Sequence, residues 1–183
     1  HNVGFWLADL LATHVGASFS VAQKLQGEEC RGLIAGVPVR IIKPSTYMNR
    51  SGQCVRRTLD YYDIPVDQLL VVHDELDLPA GSARLKRGGG HGGHNGLRDI
   101  LASCGPDFMR LRIGIGHPGH KDLVTDYVLH APGKQERSEI VEALTEAVSA
   151  IETCMARGLE AAMQQLHSTL PRKNGGAEYG PAG

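Results

Sequence analysis

The chain has 183 residues, of which 42% are apolar, and a net charge of −1. This composition supplies enough apolar side chains for one packed domain and excludes wholesale disorder. No apolar run approaches the ~20 residues of a membrane helix, and no basic segment followed by an apolar one opens the chain, so we expect neither a membrane span nor a secretory signal. The four cysteines form no close pairs, which is typical of free thiols in a reducing compartment.

Charge and glycine are unevenly distributed. The segment from Arg84 to Lys121 contains seven basic and two acidic residues, a net charge of +5, so the rest of the chain carries −6. The same segment contains four of the nine histidines and the densest run among 23 glycines. A local basic region on a nearly neutral protein favours a confined anionic ligand over a generally basic surface, although a chance cluster of solvated charges is the simpler alternative.

Predicted strands and helices alternate along the chain. The helices are predicted from apolar residues at helical spacing or from the turn residues that flank them. In chain order they are a helix over Asn2–Ala12, hairpin strands over Glu28–Ile34 and Val37–Lys43, a helix over Ser51–Tyr62, strands over Leu69–Val72 and Ala83–Lys86, a helix over Asn95–Ser103, a strand over Met109–Ile115, and helices over Ser138–Ala156 and Leu159–His167. This order predicts one α/β domain over residues 1–170 with a mostly internal sheet. The proline- and glycine-rich residues 171–183 are predicted to form a flexible tail.

A glycine-rich loop leads directly into one predicted helix. Six of the nine residues from Gly88 to Gly96 are glycine, and the others are His91, His94 and Asn95. Glycines allow the backbone to approach a ligand closely, and a helix N-terminus presents unpaired amides that suit a phosphate. The loop matches neither a Walker motif nor the usual dinucleotide fingerprint. A flexible linker is the alternative.

Two pairs of histidines at matching spacing raise the possibility of zinc. The pairs are His91 with His94 and His117 with His120. Four imidazoles could close a tetrahedral site, but no carboxylate or thiolate stands at ligand spacing and a structural site made only of histidines would be unusual. The residues alone leave the metal site as an open alternative.

Three carboxylates follow the predicted buried strand, in the run His73-Asp74-Glu75-Leu76-Asp77. Catalytic groups favour the carboxyl ends of strands in open α/β sheets, and Asp74 is placed to orient a histidine, fix its tautomer and stabilise its protonated form. A solvated turn is the alternative. The segment from Thr46 to Gly52 offers Asn49 as donor and acceptor and Tyr47 and Met48 as an apolar wall, but a helix cap explains it equally well.

Five motifs taken together resemble bacterial peptidyl-tRNA hydrolase. They are His1-Asn2-x-Gly4, Pro44-x-Thr46-Tyr47-Met48-Asn49-x-Ser51-Gly52, the run His73–Asp77, the run Gly88–Gly96, and Arg112-Ile113-Gly114-Ile115-Gly116-His117-Pro118. The resemblance extends from His1 to about His167. It implies a single α/β domain with a mixed, twisted sheet surrounded by helices, and a monomeric cytoplasmic enzyme without cofactor or metal that hydrolyses the ester of peptidyl-tRNA and so recycles tRNA from aborted translation.

The resemblance also implies roles for individual residues. The catalytic histidine falls on His1 and its aspartate partner on Asp74. Substrate-binding positions fall on Tyr47, Met48, Asn49, His94 and Asn95. Positions that bind the phosphate at the tRNA 5′ end fall on Lys86, Arg112 and Lys121. The charge distribution places positive charge in that region independently of the resemblance.

One departure from the family pattern leaves a second functional hypothesis open. The family begins with a further strand and a loop before the catalytic histidine, whereas this sequence starts at His1. The alternative is therefore an RNA-binding relative that lacks this strand and is catalytically impaired. The presence of Asn49, Asp74 and Asn95 argues against it, because a pure binder does not need them.

Overall fold

The computed structural model describes residues 2–45, 50–116 and 133–169. Helix α1 (Val3–Val15) is followed by strands β1 (Ser20–Ala22), β2 (Gly27–Ile34) and β3 (Val37–Pro44), then by helix α2 (Ser51–Tyr61), strands β4 (Leu70–Glu75) and β5 (Ala83–Arg87), helix α3 (Asn95–Cys104), strand β6 (Met109–Gly114) and helices α4 (Lys134–Arg157) and α5 (Leu159–Thr169). This alternation of strands and helices confirms the predicted mixed α/β class.

The described strands divide into two sheets of three strands, a division that the sequence did not predict. One sheet is antiparallel in the order β1-β2-β3, and the second is mixed, in the order β4-β6-β5. In the mixed sheet β4 runs parallel to β6 while β5 runs antiparallel to it. The predicted hairpin is present, because Ile34 pairs with Val37 across Ala35 and Gly36, both of which have positive φ.

Two groups of apolar side chains pack on the mixed sheet. The larger joins α1, α4 and α5 to the sheet and includes Leu7, Leu144, Leu166, Leu111 and Ile113. The smaller joins α3 to the segment before β6 through Leu97, Ile100 and Phe108. Because helices cover the mixed sheet, its central strand β6 is almost fully buried, and β6 and its neighbour β5 carry the basic residues described below.

No described helix is both long and apolar enough to cross a bilayer.

A candidate active site at the carboxyl end of strand β4

The end of strand β4 places a buried histidine, His73, directly before a carboxylate, Asp74. His73 is only 6% exposed, and its Nδ1 donates a hydrogen bond to the backbone carbonyl of Asp74 at 2.9 Å. Burial lowers the pKa of His73 to about 4, so the ring is neutral at physiological pH. His73 therefore supports the end of the strand as a neutral side chain, and the negative charge of this site comes from the next residue.

Asp74 is hydrogen-bonded to a histidine that lies 20 residues further along the chain. The Nε2 atom of His94 lies 3.3 Å from Oδ1 of Asp74, and the rings of His94 and His73 meet edge to face at 5.2 Å between centroids. Burial raises the pKa of Asp74, but the interaction with His94, led by its hydrogen bond, outweighs burial and the pKa is lowered. Asp74 is thus a carboxylate at neutral pH in a half-buried setting.

The first turn of helix α3 fixes the tautomer of His94. The residue caps this helix, and its Nδ1 accepts a hydrogen bond from the backbone N–H of Leu97 at 3.2 Å. A ring nitrogen that accepts carries no proton, so neutral His94 is protonated at Nε2 and donates to Asp74. The sequence predicted His94 as a substrate-binding residue; the structure shows in addition that it bonds to Asp74, which was predicted to pair with His1.

Asn95 is the first residue of α3 and is exposed next to this pair. It lines a groove of about 400 Å³ together with Arg98, Asp99 and Ala102. The side-chain amide can donate to a carbonyl or accept from a water, which is the chemistry expected of a substrate-binding residue. The structure therefore joins His94 to Asp74, while the groove that Asn95 lines is formed by residues of α3.

The basic residues of β5 and β6 are paired across the mixed sheet. Lys86 is opposite Arg110, and Arg84 is opposite Arg112. Burial lowers the pKa of Lys86, and the charges of Arg112 and Arg110 lower it further. Arg112 also lies beside Glu75, with 3.9 Å between its Nη1 and Oε1 of the carboxylate. Lys86 and Arg112, predicted from the resemblance, thus belong to one cluster of cations, and a phosphate would relieve their mutual repulsion.

The start of helix α2 is held by a residue to which the sequence analysis assigned no role. Oδ2 of Asp99, on α3, accepts a hydrogen bond from the backbone N–H of Gly52 at 2.6 Å. A Cβ on Gly52 would lie 2.4 Å from the carbonyl oxygen of Asp99, so only glycine permits this approach of the two helices. Nothing in the local sequence distinguishes Asp99 from an exposed helical carboxylate, because its partner lies 47 residues away.

The remaining predicted residues lie outside the described parts of the chain. They are His1, Tyr47, Met48, Asn49, Lys121, His117 and His120. The described histidines of the zinc hypothesis have other partners: Nδ1 of His91 accepts from the N–H of Gly93 at 2.9 Å, and both ring nitrogens of His94 are hydrogen-bonded. Within the described ranges, no group of three or more histidine, cysteine, aspartate or glutamate side chains is arranged to hold a metal ion.

Comparison with known proteins identifies a consistent set of relatives. The profile of the peptidyl-tRNA hydrolase family matches residues 1–174. The chain is 49% identical over 169 residues to peptidyl-tRNA hydrolase of Halorhodospira halophila, covering 92% of this chain and 87% of that protein, and 47% identical over 170 residues to the Haemophilus influenzae protein, covering 92% and 88%. The crystal structure of peptidyl-tRNA hydrolase from Acinetobacter baumannii is 45% identical to this chain, with a TM-score of 0.90. The structure of a single-substitution mutant of that protein is 44% identical, with a TM-score of 0.91. Each comparison covers 94% of this chain and 88% of the Acinetobacter baumannii chain.

Proposed function

Because the chain belongs to the peptidyl-tRNA hydrolase family and is therefore an enzyme that hydrolyses peptidyl-tRNA, we propose that the reaction takes place at the carboxyl end of β4, around Asp74, His94 and Asn95. The observation that carries this assignment is the hydrogen bond between Asp74 and His94. It holds an anionic carboxylate against His94, the residue that directly precedes the exposed Asn95. The relatives named above are all named as hydrolases, and nothing favours the alternative of a catalytically impaired binder.

The proposed chemistry is general-base hydrolysis of an ester. We assign the base to His1, which removes a proton from a water molecule as that water attacks the ester carbonyl. The tetrahedral intermediate then breaks its bond to the ribose 3′ oxygen of the tRNA, and this oxygen takes the proton back from His1. Asp74 has two carboxylate oxygens; His94 engages Oδ1, and we assign the second to His1, where it orients the ring and stabilises the protonated form. General-base assistance of this kind contributes roughly 10²–10⁴-fold to the rate.

The side-chain amides of Asn49 and Asn95 are assigned to the developing oxyanion and the attacking water. Preorganised donors of this kind act where charge develops in the transition state. The neutral tautomer of His94 donates to Asp74. We therefore assign two roles to His94, which are to hold that carboxylate in place and to bind the substrate. Tyr47 and Met48 are assigned to an apolar wall of the substrate-binding site.

Binding of the tRNA is assigned to three cations, of which one lies on β5 and one on β6. Lys86 and Arg112, with Lys121, would bind the 5′-phosphate. Arginine can bind a phosphate through two parallel hydrogen bonds, and lysine acts as a compact charge. Phosphate contacts position a substrate without reading its sequence, which suits an enzyme that acts on many tRNAs. We propose that this enzyme works in the cytoplasm as a monomer and needs neither metal nor cofactor.

The experiment that tests the proposed function measures hydrolysis and binding in the same preparation. Purified protein is given peptidyl-tRNA, with release of free tRNA as the readout, and is titrated separately with deacylated tRNA. Catalytic release of tRNA that persists in excess EDTA and is lost in His1→Asn supports the assignment. Binding of tRNA without turnover would overturn it.

A further inference from the structure

One arginine of the mixed sheet is buried more completely than its neighbours. Arg110 on β6 is 1% exposed, although an arginine side chain is rarely buried unless it is paired. Its guanidinium lies over the ring of Phe108, with 4.9 Å between the guanidinium carbon and the ring centroid. None of the ion pairs among the described residues includes Arg110. The cost of burying this cation is therefore not offset by a directly paired carboxylate among the described residues.

The guanidinium of Arg110 binds the backbone of the glycine-rich loop. Its Nη1 donates to the carbonyl oxygen of Gly90 and its Nη2 to the carbonyl oxygen of Gly89. The planar guanidinium can bind two neighbouring carbonyls at once, which a lysine ammonium group at the same position cannot reproduce. The side chain thus fixes the loop at its centre.

This loop connects two parts of the proposed machinery. It begins directly after β5, which carries Lys86, and ends at His94 and Asn95. Gly89 has a φ of +106°, and a Cβ there would lie 2.8 Å from Nζ of Lys86, so the loop backbone passes against the lysine. Lys86 is itself the strand partner of Arg110. Arg110 therefore contacts the loop midway between the proposed phosphate-binding lysine and the proposed ester-binding residues.

We propose that Arg110 is a positioning residue, which holds the glycine-rich loop so that Lys86 and the pair His94–Asn95 keep a fixed separation. The proposal rests on the proposed function, because it assumes that these residues bind the two ends of one substrate. Loss of the two loop contacts displaces the start of α3, and with it the hydrogen bond from His94 to Asp74. A displacement of about 1 Å in an active site can lower the reaction rate as much as 100-fold, so we expect the loss of the loop contacts to lower kcat.

The variant Arg110→Lys tests this while it keeps the positive charge. We expect kcat to fall by about tenfold on both full-length peptidyl-tRNA and a minimal ester that lacks the tRNA 5′ end, while KM for the minimal ester stays within about twofold. The salt dependence of tRNA binding should be unchanged because no cation is lost. Hydrogen exchange of the amides from Gly88 to Asn95 should accelerate, with β4 and β6 unaffected.

Arg87→Lys is the matched control. Arg87 also contacts loop backbone, since its Nη1 donates to the carbonyl of Asp67 at 3.2 Å, but that loop precedes β4 and is remote in sequence from His94. This variant should keep the kcat of the wild-type enzyme on both substrates. If the wild-type enzyme hydrolyses both substrates, the proposed function stands whatever the result for Arg110→Lys.

A measurement on the wild-type enzyme keeps the proposal testable even if the variant does not fold. The NMR signals of the Arg110 Nη protons should be resolved from one another and exchange slowly with water, because two carbonyls hold the group. A single averaged signal would overturn the proposal. So would a kcat for Arg110→Lys within twofold of wild type on both substrates, or a rise in KM for tRNA alone, which would make Arg110 part of the phosphate-binding charge instead.

Discussion

Asp99 caps a helix other than its own. Its Oδ2 accepts the N–H of Gly52, the second residue of α2, at 2.6 Å, so the first turn of α2 is tied to the first turns of α3. A carboxylate at a helix N-terminus satisfies an unpaired amide and interacts favourably with the helix dipole. Because α3 begins at Asn95, this contact ties the start of α2 to the helix that carries one of the predicted substrate-binding residues.

We expect Asp99→Ala to lower the free energy of unfolding by about 1–2 kcal/mol, the usual cost of losing a helix cap. It should also lower kcat, since the helix that begins at the proposed substrate-binding residue Asn95 loses its contact with α2. Urea denaturation and steady-state kinetics on peptidyl-tRNA measure the two effects. Asp60→Ala is the control, because it removes an exposed carboxylate that pairs with Arg56 within α2 and should cost less than ~0.5 kcal/mol with no change in kcat. Equal losses in the two variants would show that Asp99 is only another surface charge.

From the burial of His73 we predict how the free energy of unfolding depends on pH. Its pKa is about 4 in the folded protein, well below the usual 6.5, because burial disfavours the charged form. The unfolded chain therefore takes up a proton first as the pH falls, and the folded state loses stability. The contribution of His73 to the free energy of unfolding is fully present above pH 6.5 and is lost between about pH 6.5 and pH 4. This loss amounts to about 3 kcal/mol.

Urea denaturation at pH 7, 6, 5 and 4 measures this dependence. The difference in unfolding free energy between wild type and His73→Asn should shrink as the pH falls, since asparagine does not titrate. A difference that stays constant across this range would show that folding does not shift the pKa of His73.

The pair Lys86 and Arg112 predicts a selective loss of tRNA binding. Replacing both with alanine should raise KM for peptidyl-tRNA and reduce the slope of log affinity against log salt by roughly two phosphate contacts. Turnover of the minimal ester should be nearly unchanged, because it never reaches these cations. Arg31→Ala is the control, since Arg31 is an exposed cation on the antiparallel sheet. An equal loss on both substrates would indicate a folding defect, and no loss on either would mean that the two residues are solvated surface charges.

The sequence predicted elements where apolar periodicity or turn chemistry marks them. The strand predicted over Leu69–Val72 is present as β4 (Leu70–Glu75), and the turn at Ala35-Gly36 is confirmed. The prediction that this strand is buried and central was wrong for the described sheet, because Leu70–Val72 are only partly buried and β6 lies between β4 and β5. Strand β1 was not predicted, because its three residues are fixed by backbone pairing with β2 and bury little of their side chains. Helix α4 begins at Lys134 rather than at Ser138, since its first turn is polar and carries no apolar signal.

The candidate site was predictable as a set of motifs but not as a set of contacts. Asp74, His94 and Asn95 were selected by their place after a strand and before a helix, yet nothing local indicates that Asp74 bonds to His94. Arg110 was counted only among the basic residues. Its burial depends on a loop that folds back over β6, and such long-range packing leaves no trace in local sequence.

The central claim is that the carboxylate of Asp74 serves catalysis and not binding. Asp74→Asn keeps the shape of the side chain and an oxygen that can accept from His94, while it removes the charge. Asp77→Asn is the matched control, because Asp77 is an exposed carboxylate in the turn that follows β4, three residues beyond Asp74.

The most direct test is the single-turnover rate of Asp74→Asn on peptidyl-tRNA, measured together with its Kd for tRNA. The account predicts a rate lower by about 10²–10⁴-fold, since the base loses the group that orients it and stabilises its protonated form, with a Kd within about twofold of wild type. Asp77→Asn should match the wild-type enzyme in both quantities. A near-normal rate in Asp74→Asn would contradict the account, as would a loss of rate accompanied by an equal loss of tRNA affinity.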